Sequence, residues 1–168
     1  MAREETAISY LISNSYDVVV CRIVGKYTMT AQDVLSQRQF ADVVAQACYQ
    51  IDIHGPKDAT FKIERLPPHT HYDIPYRCLV PQKVENLLVA GRCISATHEA
   101  LGAVRVQPIC MATGQAAGTA AALCAQHHTR PEYVSIAELQ GKLSWTNESA
   151  HWIRLLYRLY RSRLQAEH

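Results

Sequence analysis

The segment Ser95–Gln107 (SATHEALGAVRVQ) carries three ionisable side chains, His98, Glu99 and Arg105, on a backbone otherwise made mostly of small and apolar residues. Pro108 follows it. Proline suits the first turn of a helix, where a missing N–H has no intrahelical acceptor to lose. The loop therefore delivers Gly102, Ala103, Val104, Arg105 and Val106 to a helix N-terminus. Backbone N–H groups there are unpaired and carry partial positive charge. Such a place can hold an anion, or stabilise negative charge developing on a carbonyl oxygen. Read from residue types alone, His98 and Glu99 serve equally well to satisfy loop backbone, and Arg105 to pair with a carboxylate.

The helix opening at Pro108 is expected to run to about Gln126. Met111–Ala122 reads MATGQAAGTAAA, with Gly114 and Gly118 four apart and so on one face, and Ala117 and Ala121 beside them. A glycine inside a helix costs up to ~1 kcal/mol relative to alanine, so two of them need a packing reason. A ligand wall supplies one; so does tight contact with another helix in a plain core. Upstream, Leu87–Ala90 is apolar on both faces, the pattern of a strand in a covered parallel sheet.

The other elements follow from local patterns. Tyr16–Cys21 (YDVVVC) reads as a buried strand. Thr30-Ala-Gln-Asp33 resembles a capping box, so a helix begins near Ala31. Tyr49–His54 and Thr60–Arg65 alternate and flank the turn Gly55–Asp58, as two strands of a hairpin or a sheet edge would. Ile74–Val80 contains Pro75 and stops at Pro81, which makes it an edge strand or an extended segment. Ser135–Leu143 reads as a short helix. A last helix is expected from Thr146 or Asn147, with Trp152, Leu155, Leu156, Leu159 and Tyr160 on one side and Arg154, Arg158 and Arg161 on the other.

Bulk composition narrows the function classes. The 168 residues carry a net charge of +2, with 48% hydrophobic and 19% charged residues, which suits a globular chain and points to no highly charged partner. Three arginines on one helix are too small an electrostatic footprint for nucleic acid, and the expectation is a solvated face with no nucleic-acid partner. No apolar run reaches the length of a membrane span. The N-terminal segment, with Arg3, Glu4 and Glu5, lacks the apolar core of a secretory signal. The six cysteines form no CxxC pair and sit among apolar neighbours, as buried free thiols do in a reducing, cytoplasmic setting. His69 and His71 share one side of any strand, but no third ligand accompanies them, so no metal site is expected.

Ile74–Pro81 (IPYRCLVP), Asn86–Glu99 (NLLVAGRCISATHE) and Gly102–Ala122 together resemble the C-terminal part of a FAD-dependent oxidoreductase. The group is that of the glutathione-reductase-type flavoproteins, near the fumarate reductase/succinate dehydrogenase branch. Ile23–Leu35 and Tyr49–His54 resemble the segment preceding this region in such proteins, so the similarity covers about Arg22–Gln126. It implies FAD as cofactor and an α/β fold: a partial, FAD-binding, Rossmann-like parallel sheet, a β-rich remnant of a substrate domain, and C-terminal helices. It divides the chain into an opening strand of the FAD domain (1–21), the substrate or cap remnant (22–85), the C-terminal FAD-binding segment (86–128) and a helical segment (129–168). Carried over residue by residue, it makes Leu87–Gly91 the last strand of the FAD domain. Gly91 lets the backbone approach the cofactor, and Arg92 lies near its ribitol or pyrophosphate. Gly102, Ala103, Val104, Val106 and Gln107 line the flavin, with the N–H groups of Val106 and Gln107 near its pyrimidine edge. His98, Glu99 and Arg105 are the polar groups nearest the reacting face.

One expected motif is missing. The family opens with a strand leading into GxGxxG, which seats the pyrophosphate on a helix N-terminus. Here the closest two glycines are Gly114 and Gly118, so that spacing occurs nowhere. Arg22–Gly25 follows the opening strand directly, as though the middle of the family pattern had been removed. Three lost phosphate contacts at ~1.5–3 kcal/mol each would weaken FAD binding by several orders of magnitude. Two readings follow. In one, the chain is the flavin-contacting portion of an oxidoreductase, acting on an unknown small molecule and completed by a full-length homologue. In the other, it is a non-catalytic remnant that self-associates as a homo-oligomer or binds a relative.

Overall fold

The computed structural model describes residues 22–53, 62–68 and 70–145. The expected opening strand Tyr16–Cys21, the turn Gly55–Asp58, His69 and the basic C-terminal helix lie outside the described residues. The described elements run α1 (Ala31–Leu35), β1 (Val43–Ala47), β2 (Ile51–Ile53), β3 (Lys62–Glu64), β4 (Tyr72–Pro75), α2 (His98–Val104), α3 (Gln107–His127) and α4 (Ile136–Trp145). Short 3-10 turns occupy Tyr76–Cys78, Gly91–Cys93 and Pro131–Tyr133.

Helix α1 starts where the capping box places it. Thr30 Oγ1 accepts the Asp33 N–H (3.2 Å), and Asp33 Oδ2 accepts the Thr30 N–H (2.9 Å). The same carboxylate accepts from the Tyr27 hydroxyl (2.8 Å) and from Arg38 Nη1 (3.1 Å). Burial alone would raise the Asp33 carboxyl, but these donors hold it below the ordinary aspartate value. The chain leaves α1 through Gln37, whose φ of 54° turns it sharply without a glycine.

The fold is mixed α/β, and its described strands are antiparallel. β1 pairs with β4, with a bulge between Val43 and Ala45, and β2 pairs with β3 as the expected hairpin. A parallel Rossmann-like sheet is not formed among the described residues. Leu87–Ala90, expected as a strand, is instead an extended segment whose Val89 N–H bonds to Leu79 O (2.9 Å). Its apolar run reflects the half-burial of Leu88, Val89 and Ala90 rather than a ladder. Ser95–Gln107, read as a loop, contains α2, capped by the Thr97 side chain accepting from the Ala100 N–H.

One core joins these pieces. Met29, Val34, Ile51, Tyr72, Ile74, Leu79, Ile94 and Val104 are buried together with the inner face of α3. Asp73 is buried and satisfied, accepting from the Phe40 N–H and Gln46 Nε2, both at 3.0 Å. Helix α4 inserts Leu139 into the core, and Gln140 Nε2 donates to Ala41 O and Val43 O (2.9 and 3.0 Å). Tyr76 reaches across to donate to Pro131 O (2.8 Å).

Candidate functional site

The junction between α2 and α3 is where backbone, charge and close packing converge. Helix α2 buries Ala100–Val104 and leaves His98 and Glu99 exposed in its first turn. Gly102 is required there: a Cβ at that position would lie 2.8 Å from Asp52 O and 3.2 Å from Asp52 C. β2 thus crosses directly over α2. The Tyr72 hydroxyl donates to Ala103 O (3.3 Å), and Arg105 Nη2 donates to Asp52 O (3.1 Å). Gly102, Ala103 and Val104 are therefore covered by this chain's own strands, with Ala103 and Val104 fully buried.

Arg105 ends α2, and Val106 opens α3 in an extended conformation with no side-chain cap. In the first turn of α3, the N–H groups of Ile109 and Cys110 turn back to Val106 O (3.1 and 3.0 Å). Pro108 has no N–H, and Gln107, as the first helical residue, has no intrahelical acceptor. The positive end of a helix running Gln107–His127 therefore emerges at Val106 and Gln107.

Gly91 and Arg92 are brought to the same place. Gly91 adopts φ +68°, a left-handed conformation that glycine reaches without strain. Its N–H donates to Thr113 Oγ1 (3.0 Å), and its Cα faces Cys110, whose Cβ would lie 3.7 Å from an added Cβ. Arg92 is exposed, and its Nε donates to Arg105 O (3.2 Å). The same carbonyl accepts from Cys110 Sγ (3.5 Å). Burial pushes the Cys110 thiol up, Arg92 pulls it down, and Cys93 raises it further.

The structure thus brings Gly91, Arg92, Arg105, Val106 and Gln107 together. It turns Gly102, Ala103 and Val104 towards β2 and the core. His98 and Glu99 sit at the far end of α2, roughly 9 Å away at 1.5 Å per residue. Thr113, Cys93 and Cys110 belong to this junction and carry no chemistry-bearing motif. No local signal marks them, since α3 carries a second threonine and a second cysteine at Thr119 and Cys124.

The long helix has two unlike faces. Ile109, Thr113, Ala116, Ala120, Leu123 and Cys124 are buried. Met111, Gly114, Gly118, Ala121, Ala122 and Ala125 are exposed, and a Cβ added at Gly114 or Gly118 would have nothing within 4 Å. The close neighbour expected for the glycine seam is absent among the described residues. A groove of about 220 Å³, lined by Leu123, His127, Tyr133 and Glu138 among others, lies at the opposite end of α3 and has no part in the junction.

Cys78 and Cys124 are buried free thiols, whereas Cys48 and Cys93 are exposed, against the expectation of general burial. No cluster of three metal-ligating side chains occurs among the described residues, and no helix there is long and apolar enough to cross a membrane.

A protein-family model described as FAD dependent oxidoreductase matches residues 21–143, which takes in every element described above as far as α4. No curated protein and no solved structure matches the chain.

Proposed function

The chain belongs to the FAD dependent oxidoreductase family, and from that premise we propose that it is the flavin-contacting C-terminal portion of such an enzyme, shortened through its middle. The observation that carries the reading is the uncapped start of α3, set beside Arg92 and Arg105. That arrangement suits the electron-rich end of a flavin ring: two amides with no acceptor among the described residues, a helix dipole and two guanidinium groups lie within one junction. Bound there, FAD would supply the hydride and electron chemistry.

The chain's own residues then have these roles. Val106 and Gln107 donate backbone N–H bonds to the ring edge. Gly91, held to Thr113, lets the backbone pass close by, and Arg92 faces the ribitol or pyrophosphate. Gly102, Ala103 and Val104 shape the wall from behind, through their packing on β2. Arg105 holds that wall to Asp52 O with one of its five donors and keeps the others for the reacting side. His98 and Glu99, exposed at the start of α2, are assigned to the substrate side. The fit is partial: no glycine-rich turn is present to seat the phosphates.

The finer expectations belong to the same proposal: a place near the fumarate reductase/succinate dehydrogenase branch, a parallel sheet completed by Tyr16–Cys21, the four-part division of the chain, and a cytoplasmic setting. The course of the chain supports the sheet. Ile23 N–H donates to Cys93 O (3.0 Å), and Met29 bridges Ala96 in the parallel sense. The entering chain therefore already runs alongside the Gly91–Ala96 segment.

Purification without added cofactor, followed by FAD titration with and without a full-length homologue, tests the reading. The expected result is little or no flavin on the isolated chain and binding restored by the homologue. Stoichiometric flavin on the isolated chain overturns the consequence drawn from the missing loop, and failure in both arms overturns the cofactor site.

The bare face of α3 favours a second reading, a non-catalytic remnant that self-associates or binds a relative. Sedimentation separates the two: a clean monomer, alone and mixed with the homologue, counts against the remnant.

A further inference from the structure

The groove at the far end of α3 has no role in the reading above. It lies between the last turn of α3, the 3-10 turn Pro131–Tyr133 and the start of α4, with a volume of about 220 Å³. Pockets for drug-sized ligands run from roughly 300 to 1,000 Å³, so this one suits a smaller molecule. Leu123 and Val134, 4% and 8% exposed, give it an apolar lining, and Tyr133 adds a ring that is 69% exposed. Glu138 supplies a carboxylate. Its Oε1 lies 3.1 Å from His127 Nε2, and no bond to Oε2 is formed among the described residues. Other charges at this end are already matched: Lys26 pairs with Glu132, and Arg130 Nη1 with Glu85 Oε2 (2.9 Å). The end of the 21-residue α3 adds the negative pole of its dipole. The positive pole at the start of α4 is answered by Glu138 itself and by Ser135 Oγ, which accepts the Glu138 N–H (3.4 Å). An anion entering the groove would meet Glu138 and the end of α3. An ammonium ion would be attracted by both, and by the face of an aromatic ring.

We propose that this groove binds a primary alkylammonium group, with the charged head on Glu138 and the alkyl body on Leu123, Val134 and the Tyr133 ring. The head carries three N–H donors, and a carboxylate accepts on both oxygens, so Glu138 can hold the ligand at Oε2 while keeping His127 at Oε1. The apolar lining selects a short hydrocarbon body over a bare ammonium ion, because burying that body is favourable. The Glu138 side chain is 37% exposed, so water screens the contact and the affinity is expected on the order of millimolar. A free alkylamine and a lysine side chain of another protein offer the same chemistry, and the test separates them. The groove stands about 30 Å along α3 from Val106 and Gln107, at 1.5 Å per residue. This inference therefore does not depend on flavin binding.

The test is titration of the isotope-labelled full chain with n-butylamine hydrochloride near neutral pH, followed by amide NMR shifts. The expected result is saturable shifts at His127 and Tyr133–Glu138, with Gly91–Cys93 and Gln107 unmoved. n-Butanol has the same body without the charge, and butyrate carries the opposite charge. Each is expected to bind at least about tenfold more weakly than butylamine. Glu138→Gln is expected to weaken butylamine about tenfold, and Tyr133→Ala about threefold. Nα-acetyl-lysine methylamide forms the second arm: binding at least as tight as butylamine assigns the groove to a lysine side chain, and weaker binding assigns it to a free amine. Equal binding of butanol or butyrate overturns the proposal, as do an unchanged affinity in Glu138→Gln, shifts centred elsewhere, or no saturable shift. The comparison of the three butyl compounds on the wild-type chain needs no variant to fold.

Discussion

The two faces of α3 differ in bulk and in fate. One presents Ile109, Thr113, Ala116, Ala120, Leu123 and Cys124 to the core. The other presents Met111, Gly114, Gly118, Ala121, Ala122 and Ala125 and, among the described residues, meets no close neighbour at either glycine. The bulkier side chains, Ile109 and Leu123, go to the core, and the glycines lie on the face left open. The filled face belongs to a unit this chain completes by itself. The bare face, open among the described residues, has the form of a contact surface.

The largest effects should come from the filled face. Leu123→Ala removes a side chain that is 4% exposed and is expected to cost about 2–5 kcal/mol, read as a fall in the denaturation midpoint. Met111→Ala, on the bare face where Met111 is 63% exposed, is expected to shift stability by no more than about 0.5 kcal/mol. Equal losses would mean that the bare face is covered in solution, and the contrast would fail.

The polar cluster at α1 behaves like the filled face, because Asp33 is buried with every donor in place. Asp33→Asn should cost about 1–3 kcal/mol, since an amide cannot accept all of those bonds. The pH dependence has a definite sign. The folded carboxyl is held below its ordinary value, so its contribution is present above the unfolded value of about 3.9 and is lost as pH falls through the folded one. The wild-type midpoint should therefore drop on acidification more steeply than that of Asp33→Asn. Parallel acid profiles would remove Asp33 from the account.

These contrasts follow what could be read from residues alone. The α1 start was legible because a capping box is a local device, complete within Thr30–Asp33. The extent of α3 and the position of α4 were legible from composition, and the β2–β3 hairpin from alternation around a turn. β1 was hidden because nothing marks the end of α1: Gln37 turns the chain at φ 54° without a glycine or proline. α2 was hidden because Thr97 caps it with Ala100, not an acid or amide, three residues on, and because Gly102 reads as a loop residue. That glycine answers instead to a long-range crossing of Asp52 over the helix. At the site, the 3-10 turn at Gly91 and Arg92 packs against the start of α3. The burial of Gly102–Val104 beneath β2 depends on contacts between distant segments, which spacing does not encode.

The smallest effect is the sharpest test of the bare face. Gly114→Ala and Gly118→Ala each add a methyl where the described structure leaves open space, on helix backbone that alanine adopts readily. If nothing covers that face in the isolated chain, each substitution should stabilise it by about 0.5–1 kcal/mol, through the lower entropy of the unfolded state and the better helix propensity. The same methyl groups should weaken any complex with a full-length homologue, because two glycines four apart have value only where another backbone comes close. Stabilisation alone, with association unchanged, would show that the seam has no partner. Destabilisation of the isolated chain would show that the seam is already occupied by this chain, and the distinction between a filled and a waiting face would have to be abandoned.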